Sequence, residues 1–384
     1  MLAPLPVDFH EDVRARLRDR ADAAGLDGLL LLAHGNVTYA TGWHFSRNER
    51  PVGLWIGTGG TPLLLVPCLE HEDALGVPGV DVRTYEEFPG VTPAVLWMLN
   101  EVGARRMAID TLDAALLDDA KAMLDRLDLE DHVRPERSLK TEGELALIRE
   151  ATRFADQVLE RLLAAGGDII AQGGTEADLL ADCTGHVRHL LADTHGEAFQ
   201  GTKMGITASV HSGPRGALPH GSVTTRRPQP GEPVIAGIGC SLGGYHAESG
   251  VTLVVGEPTA EQSRVMEVMA ASGAATVEAL EARRSCAEVN EAALAPIRRA
   301  GLGNAIRHRI GHGMGVEGHE APWLAPGDNT PSGPGMVFSC EPGVYRSGLD
   351  GWRTIDTLIV GSDRVELASG FLTRHPPGSR VIPC

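Results

Sequence analysis

The stretch Gly311–Glu320, GHGMGVEGHE, followed by Cys340–Tyr345, CEPGVY, sets two histidines and several carboxylates among glycines and strand-forming residues. Glycines beside ionisable residues mark places where the backbone turns sharply or comes close to a ligand. Three more segments of this kind stand around the pair: Ala217–Gly221 (ALPHG), Gly244–Thr252 (GYHAESGVT) and Trp352–Thr357 (WRTIDT). Each puts a polar or ionisable residue beside a glycine or on a strand.

Working outward, PVIAGIG (Pro233–Gly239), the segment from Gly244 to Gly256, Met336–Tyr345 and Arg353–Val360 read as strands, interrupted by helical sequence between Glu261 and Ala300. Upstream, Thr141 and Glu144 form a T-x-x-E capping box ahead of a long helix whose Leu145, Ile148, Ala151, Ala155, Val158 and Leu162 share one face. A second helix is capped by Thr175. This half reads as α+β, helices packed on a curved antiparallel sheet.

The N-terminal part is different. Apolar residues at Val13, Leu17, Ala21 and Ala24 predict a helix over Glu11–Ala24, followed by a buried strand in GLLLLA (Gly28–Ala33). Further strands are expected at Gly53–Gly57, Pro62–Val66 and Met107–Asp110, with helices over Pro93–Leu99 and Leu112–Leu127, which makes an α/β domain. The polar segment Arg134–Thr141 carries the boundary, giving domains 1–137 and 138–384.

Bulk properties narrow the function. A net charge of −17, from 34 basic and 51 acidic residues, disfavours nucleic acid and anionic membranes, which demand clustered Lys and Arg. Hydrophobic residues at 42% and charged residues at 22% are those of a globular chain acting on a small molecule. The six cysteines lack CxxC spacing and read as reduced thiols. The start has no basic and apolar export signal, and the longest apolar run, Leu29–Ala33, is far below bilayer length, so a cytoplasmic protein without a membrane span is expected.

In order and spacing, the five glycine-flanked segments resemble those of the creatinase, prolidase, aminopeptidase P and methionine aminopeptidase group, and the resemblance covers almost the whole chain. It implies a pita-bread catalytic domain preceded by a smaller α/β domain. Metal-dependent members of that group present Asp, Asp, His, Glu and Glu to two ions. Matched singly, the first aspartate falls in Gly237-Ile238-Gly239 and is absent, whereas the second is replaced by the longer Glu248. The histidine and the first glutamate match His312 and Glu341, and the last glutamate is replaced by Ile355. Asp356 is no substitute, because neighbouring strand residues point to opposite faces.

The resemblance therefore implies a site closest to that of creatinase, which uses no metal. His220 is the expected proton shuttle, with Glu341 and Glu248 as catalytic carboxylates, and His312, His319, Arg353 and His246 as substrate-binding groups. The segment Thr41–Ile56, TGWHFSRNERPVGLWI, resembles the creatinase segment with a carboxylate-binding arginine, which places Arg50 in the neighbouring subunit's site of a homodimer. Asn48 stands where creatinase has a stacking aromatic, which counts against creatine itself. Arg50 for a carboxylate and the paired carboxylates for a cationic nitrogen lead to the expectation of a small zwitterionic amino-acid derivative.

No cofactor is expected on that reading, which is C–N cleavage by hydrolysis or elimination. The alternative is an Xaa-Pro aminopeptidase or dipeptidase with a single divalent ion on Glu248, His312 and Glu341, and a further alternative is an inactive binding protein. His10, His34, His186, His189 and His308 read as surface or packing residues, and Cys240 and Cys340 as buried structural thiols.

Overall fold

The protein is described from a computed structural model covering residues 2–86 and 92–383. It divides into two compact units, Pro4–Arg137 and one beginning at Ser138. Among the described residues no helix is long and apolar enough to cross a membrane.

In the first unit six strands form one mixed sheet: β1 (Gly28–Leu31), β2 (Gly53–Gly57), β3 (Leu63–Pro67), β4 (Asp81–Tyr85), β5 (Arg106–Ile109) and β6 (Arg126–Leu129), in the order β4-β3-β2-β1-β5-β6. Helices α1 (Val7–Ala23), α2 (His34–Thr41), α3 (His71–Ala74), α4 (Ala94–Val102), α5 (Leu117–Met123) and α6 (Arg134–Ser138) complete it. Leu30, Trp55, Leu65, Met98, Met107 and Ile109 pack into a core between sheet and helices.

Two sequence expectations change here. The helix expected over Leu112–Leu127 ends at Met123, and Arg126–Leu129 is a strand parallel to β5. Leu112, Leu116, Met123 and Leu127 are spaced much as on a helix, but the free edge of β5 claims the backbone of the last turn. The polar boundary segment also contains α6. Helix α2 was not foreseen, because HGNVTYAT has few strong helix formers. Half-buried Asp110 holds its start, accepting from the N–H groups of Leu32 and Ala33 and from Asn36 Nδ2.

The second unit opens with α7 (Glu142–Ala171) and α8 (Glu176–His195). Thr141–Glu144 and Thr175–Asp178 are reciprocal capping boxes. Strands β7 (Gly205–Ser212), β8 (Pro233–Leu242) and β9 (Tyr245–Val255) then form an antiparallel meander, and helices α9 (Ala260–Glu281) and α10 (Cys286–Arg299) follow. The remaining elements are β10 (Gly311–Gly313), β11 (Glu320–Leu324), β12 (Val337–Cys340), β13 (Gly343–Arg346), β14 (Asp350–Arg353), β15 (Asp356–Val360), β16 (Val365–Leu367), α11 (Gly370–Arg374) and β17 (Val381–Ile382).

The antiparallel surface is divided rather than a single sheet. Its parts are β17-β9-β8-β7, β11-β10-β12-β15-β16 and the β13-β14 hairpin, and β17 runs parallel to β9. Gly250 and Ile355 join the meander to the segment between β14 and β15 by reciprocal backbone bonds of 3.0 and 2.9 Å. The Ile355 side chain lies on Gly250, where an added Cβ would come within 2.6 Å of it. The long apolar face expected of α7 has its counterpart here, with Leu145, Ile148, Ala151, Ala155, Val158 and Leu162 all buried.

Asp356 points away from the cavity described below, accepting a hydrogen bond from Ser369 N at 3.0 Å. Burial pushes its pKa up to about 7, against a backbone bond from Ser369 that lowers it, and nearby Asp156 adds to the rise. A folded-state pKa above the unfolded one gives stability that is complete below the unfolded value of 3.8 and is lost as pH rises toward about 7. Asp356→Asn is therefore expected to raise the thermal midpoint relative to the native chain at pH 8 and not at pH 4. Calorimetry at the two pH values checks this, and an equal shift at both would contradict it.

Candidate functional site

A cavity of about 750 Å³ opens between the meander and the β10-β12 strands, within the size range of small-molecule sites. Register explains its floor. Ser209, Gly237 and Gly250 lie opposite one another across β7, β8 and β9, and Thr207, Gly239 and Glu248 form the next row. Glycines at Gly237 and Gly239 leave the floor hollow, so the only long side chain rising from these two rows is that of Glu248 among the described residues.

The facing wall brings in His312 from β10, His319 just before β11 and Glu341 just after β12. His312 Nε2 lies 2.9 Å from Glu341 Oε1 and 3.7 Å from Glu248 Oε2. His319 Nε2 is 3.8 Å from Glu248 Oε1, and the two imidazole rings lie 3.9 Å apart, centre to centre. Ser339 Oγ donates to Glu248 Oε2 at 2.8 Å, and Thr357 Oγ1 braces the Glu248 backbone. His220 also lines the cavity, from an exposed turn that buried Glu176 secures by accepting from Ser212 and Thr224 on either side of it.

Charges in the cavity are strongly coupled. Burial raises Glu341, but the hydrogen bond and charge of His312, with Arg353 beyond, outweigh it and bring the carboxyl down to about 2. Glu248 moves the other way, raised first by burial and then by the Glu341 charge. Burial lowers His312, yet Glu341 and Glu248 more than compensate and its pKa is raised. His319 is lowered by burial and by the neighbouring His312.

These residues suit one cation and not two. Ligand atoms of Glu248, His312 and His319 all lie within 4.8 Å of one another. His312 Nδ1 faces the Gly313 carbonyl at 3.0 Å, which directs the buried Nε2 into the cavity, toward Glu341 Oε1 at 2.9 Å. A ring nitrogen oriented in that way, beside carboxylates that repel each other, is the donor set of a divalent ion. His319 takes the third place expected for Glu341. At the Gly237 end the fit fails: an added Cβ there would stand 2.6 Å from Arg353 Nη2 and 3.5 Å from Ile355 Cδ1. The Arg353 guanidinium and the Ile355 side chain occupy that ground instead of a carboxylate.

The structure thus gathers His220, Glu248, His312, His319, Glu341 and Arg353 around one cavity. His246, expected there, is not among the lining residues; its Nδ1 faces the Gly315 carbonyl at 3.1 Å and supports the loop before His319. Arg50 lies in the first unit between α2 and β2, with Nη1 2.7 Å from Glu49 Oε1. His308, set aside in the sequence, does line the cavity, and its Nε2 is 2.9 Å from the Tyr345 hydroxyl. Its place four residues before His312, with Arg307 and Arg309 beside it, was the available signal. Burial pushes the Cys240 and Cys340 thiols up to about 12, which removes them as nucleophiles at neutral pH. All five described cysteines are free, and Cys384 lies outside the described residues.

Residues 146–362 match the profile of Metallopeptidase family M24, and residues 14–131 that of the Creatinase/Prolidase N-terminal domain. The chain is 31% identical over 368 residues to a probable dipeptidase PepE of Mycobacterium tuberculosis, covering 92% of this chain and 94% of the relative. It is 27% identical over 366 residues to an Xaa-Pro dipeptidase of Pyrococcus horikoshii, covering 94% and 98%. The crystal structure of dipeptidase PepE from Mycobacterium ulcerans superposes with a TM-score of 0.83 at 26% identity, covering 99% of this chain and all of that one.

The pairing of His312 with Glu341 yields a direct test. Raised His312 favours the folded state below its unfolded value of 6.5, and lowered Glu341 favours it above 4.5, so the pair stabilises most between those values. Glu341→Gln removes the largest contribution that raises His312. In the ion-free protein its ring proton, followed by NMR, is expected to titrate at lower pH than in the native chain. An unmoved titration would contradict the pairing.

Proposed function

The chain belongs to metallopeptidase family M24, with the pita-bread catalytic fold and a creatinase/prolidase N-terminal domain, and from that premise we propose that it is a dipeptidase-class hydrolase of small peptide-like C–N bonds, served by a single divalent ion. The observation that carries this is the convergence of Glu248, His312 and His319 within 4.8 Å, with His312 Nε2 buried and aimed among them. The dipeptidase names of the relatives favour the metal-using alternative over the creatinase-like reading that the lost ligands first suggested.

A divalent ion held there would polarise the scissile carbonyl and lower the pKa of a bound water. The chain's own groups supply the rest. Glu248, raised in pKa by burial and by Glu341, gains most from a neighbouring cation. Ser339 fixes the direction of its carboxylate. His220, on the exposed side of the cavity, takes a proton from water and returns it to the leaving nitrogen. A homodimer in which Arg50 serves the neighbouring subunit stays part of this proposal, supported by the resemblance of Thr41–Ile56 to the creatinase segment.

Metal-independent cleavage is the second reading, favoured by the Arg353 guanidinium on the ground of a lost ligand. The two separate cleanly. On the first, hydrolysis of an Xaa-Pro dipeptide disappears in chelator and returns with one equivalent of Mn²⁺ or Zn²⁺; full activity in ion-free protein would establish the second. Ser339→Ala is expected to weaken ion affinity by roughly 10–100-fold, measured by calorimetric titration. His220→Ala is expected to lower kcat by about 10²–10⁴-fold, and an unchanged rate would remove His220 from the mechanism.

A further inference from the structure

Arg353 is 6% exposed, yet its guanidinium reaches the cavity floor. Nη2 stands where the side chain of residue 237 would begin. The guanidinium is hydrogen-bonded to Tyr345, and the Tyr345 hydroxyl also meets His308. Nε, however, is buried with no hydrogen-bond partner. An unsatisfied donor on a buried cation is costly, and a charged group in a low-dielectric hollow draws a counterion strongly. Glu341 on the facing wall feels the Arg353 charge but is paired with His312.

The surroundings of that guanidinium offer donors and space. Ser209 Oγ lies 3.4 Å, and Thr207 Oγ1 2.7 Å, from the Cβ positions that Gly237 and Gly239 lack, so two hydroxyls border the hollow from β7. Arg307 and Arg309 join Arg353 in the lining, against Glu248 and Glu341. In a chain of net charge −17 this cavity is thus locally cationic, which concentrates anions within it.

We propose that the Gly237 end of the cavity is a carboxylate-binding subsite, formed by the Arg353 guanidinium with the Ser209 and Thr207 hydroxyls. What was ground for a cation and its ligands becomes a seat for an anion. The substrate class that fits carries a free carboxylate within a few bonds of the reacting C–N bond, as a dipeptide does and a longer peptide or a C-terminal amide does not. A planar fork matches a carboxylate, and the flanking hydroxyls complete its shell. The inference rests on reading this cavity as the substrate site.

The test uses N-acetylglycine and N-acetylglycinamide, which differ at the carboxylate alone, titrated calorimetrically into the full chain freed of divalent ions. N-acetylglycine is expected to bind tighter by about tenfold or more, and Arg353→Gln to erase the difference. No preference in the native chain, or a preference that survives Arg353→Gln, would overturn the subsite. Should that variant not fold, Thr207→Val/Ser209→Ala serves, and an undiminished preference there overturns it equally. Because no turnover is read, absence of dipeptidase activity would sink the hydrolase reading without touching this result.

Discussion

The reciprocal backbone bonds between Gly250 and Ile355 are the constraint on which the site depends. They fasten the β7-β8-β9 meander to the turn between β14 and β15, and so set Glu248, two residues before Gly250, against the wall that carries His312 and Glu341. Gly250 is required because Ile355 lies directly on it. With this contact made, Thr357 reaches the Glu248 backbone, and Asp356 turns to the other side toward Ser369. Loss of the contact would part Glu248 from the wall that carries His312 and Glu341.

Charge balance follows from that geometry. Among the described residues the carboxylates that line the cavity are those of Glu248 and Glu341. Their charges are met in different ways. Glu341 is held ionised by His312 and Arg353, and Glu248, raised by burial, is left as the carboxylate on which a cation acts most strongly. His319 completes the group around it. Arg353 supplies at the Gly237 end a permanent positive charge that needs no metal.

Much of this was legible in the sequence, for identifiable reasons. The capping boxes at Thr141 and Thr175 and the apolar face of α7 are local patterns, and they translate directly into helices. Gly237 and Ile355 stood out because each lies within a short motif of fixed spacing. What was not legible depends on approach between distant residues. Nothing local in HGNVTYAT predicts α2, which Asp110 holds from the far end of β5. Nor does WRTIDT reveal that Arg353 reaches beneath Gly237, since that follows from strand pairing. His246 and His308 exchanged roles for the same reason: one meets the Gly315 carbonyl and the other meets Tyr345.

The central claim is that one end of the cavity takes a cation and the other does not. Anomalous scattering from crystals soaked in excess Mn²⁺ tests it most directly. The account predicts a single peak per chain, bounded by Glu248, His312 and His319, and none beside Gly237 and Arg353. A second peak at the Gly237 end, or a first peak anywhere but among those three side chains, would contradict it.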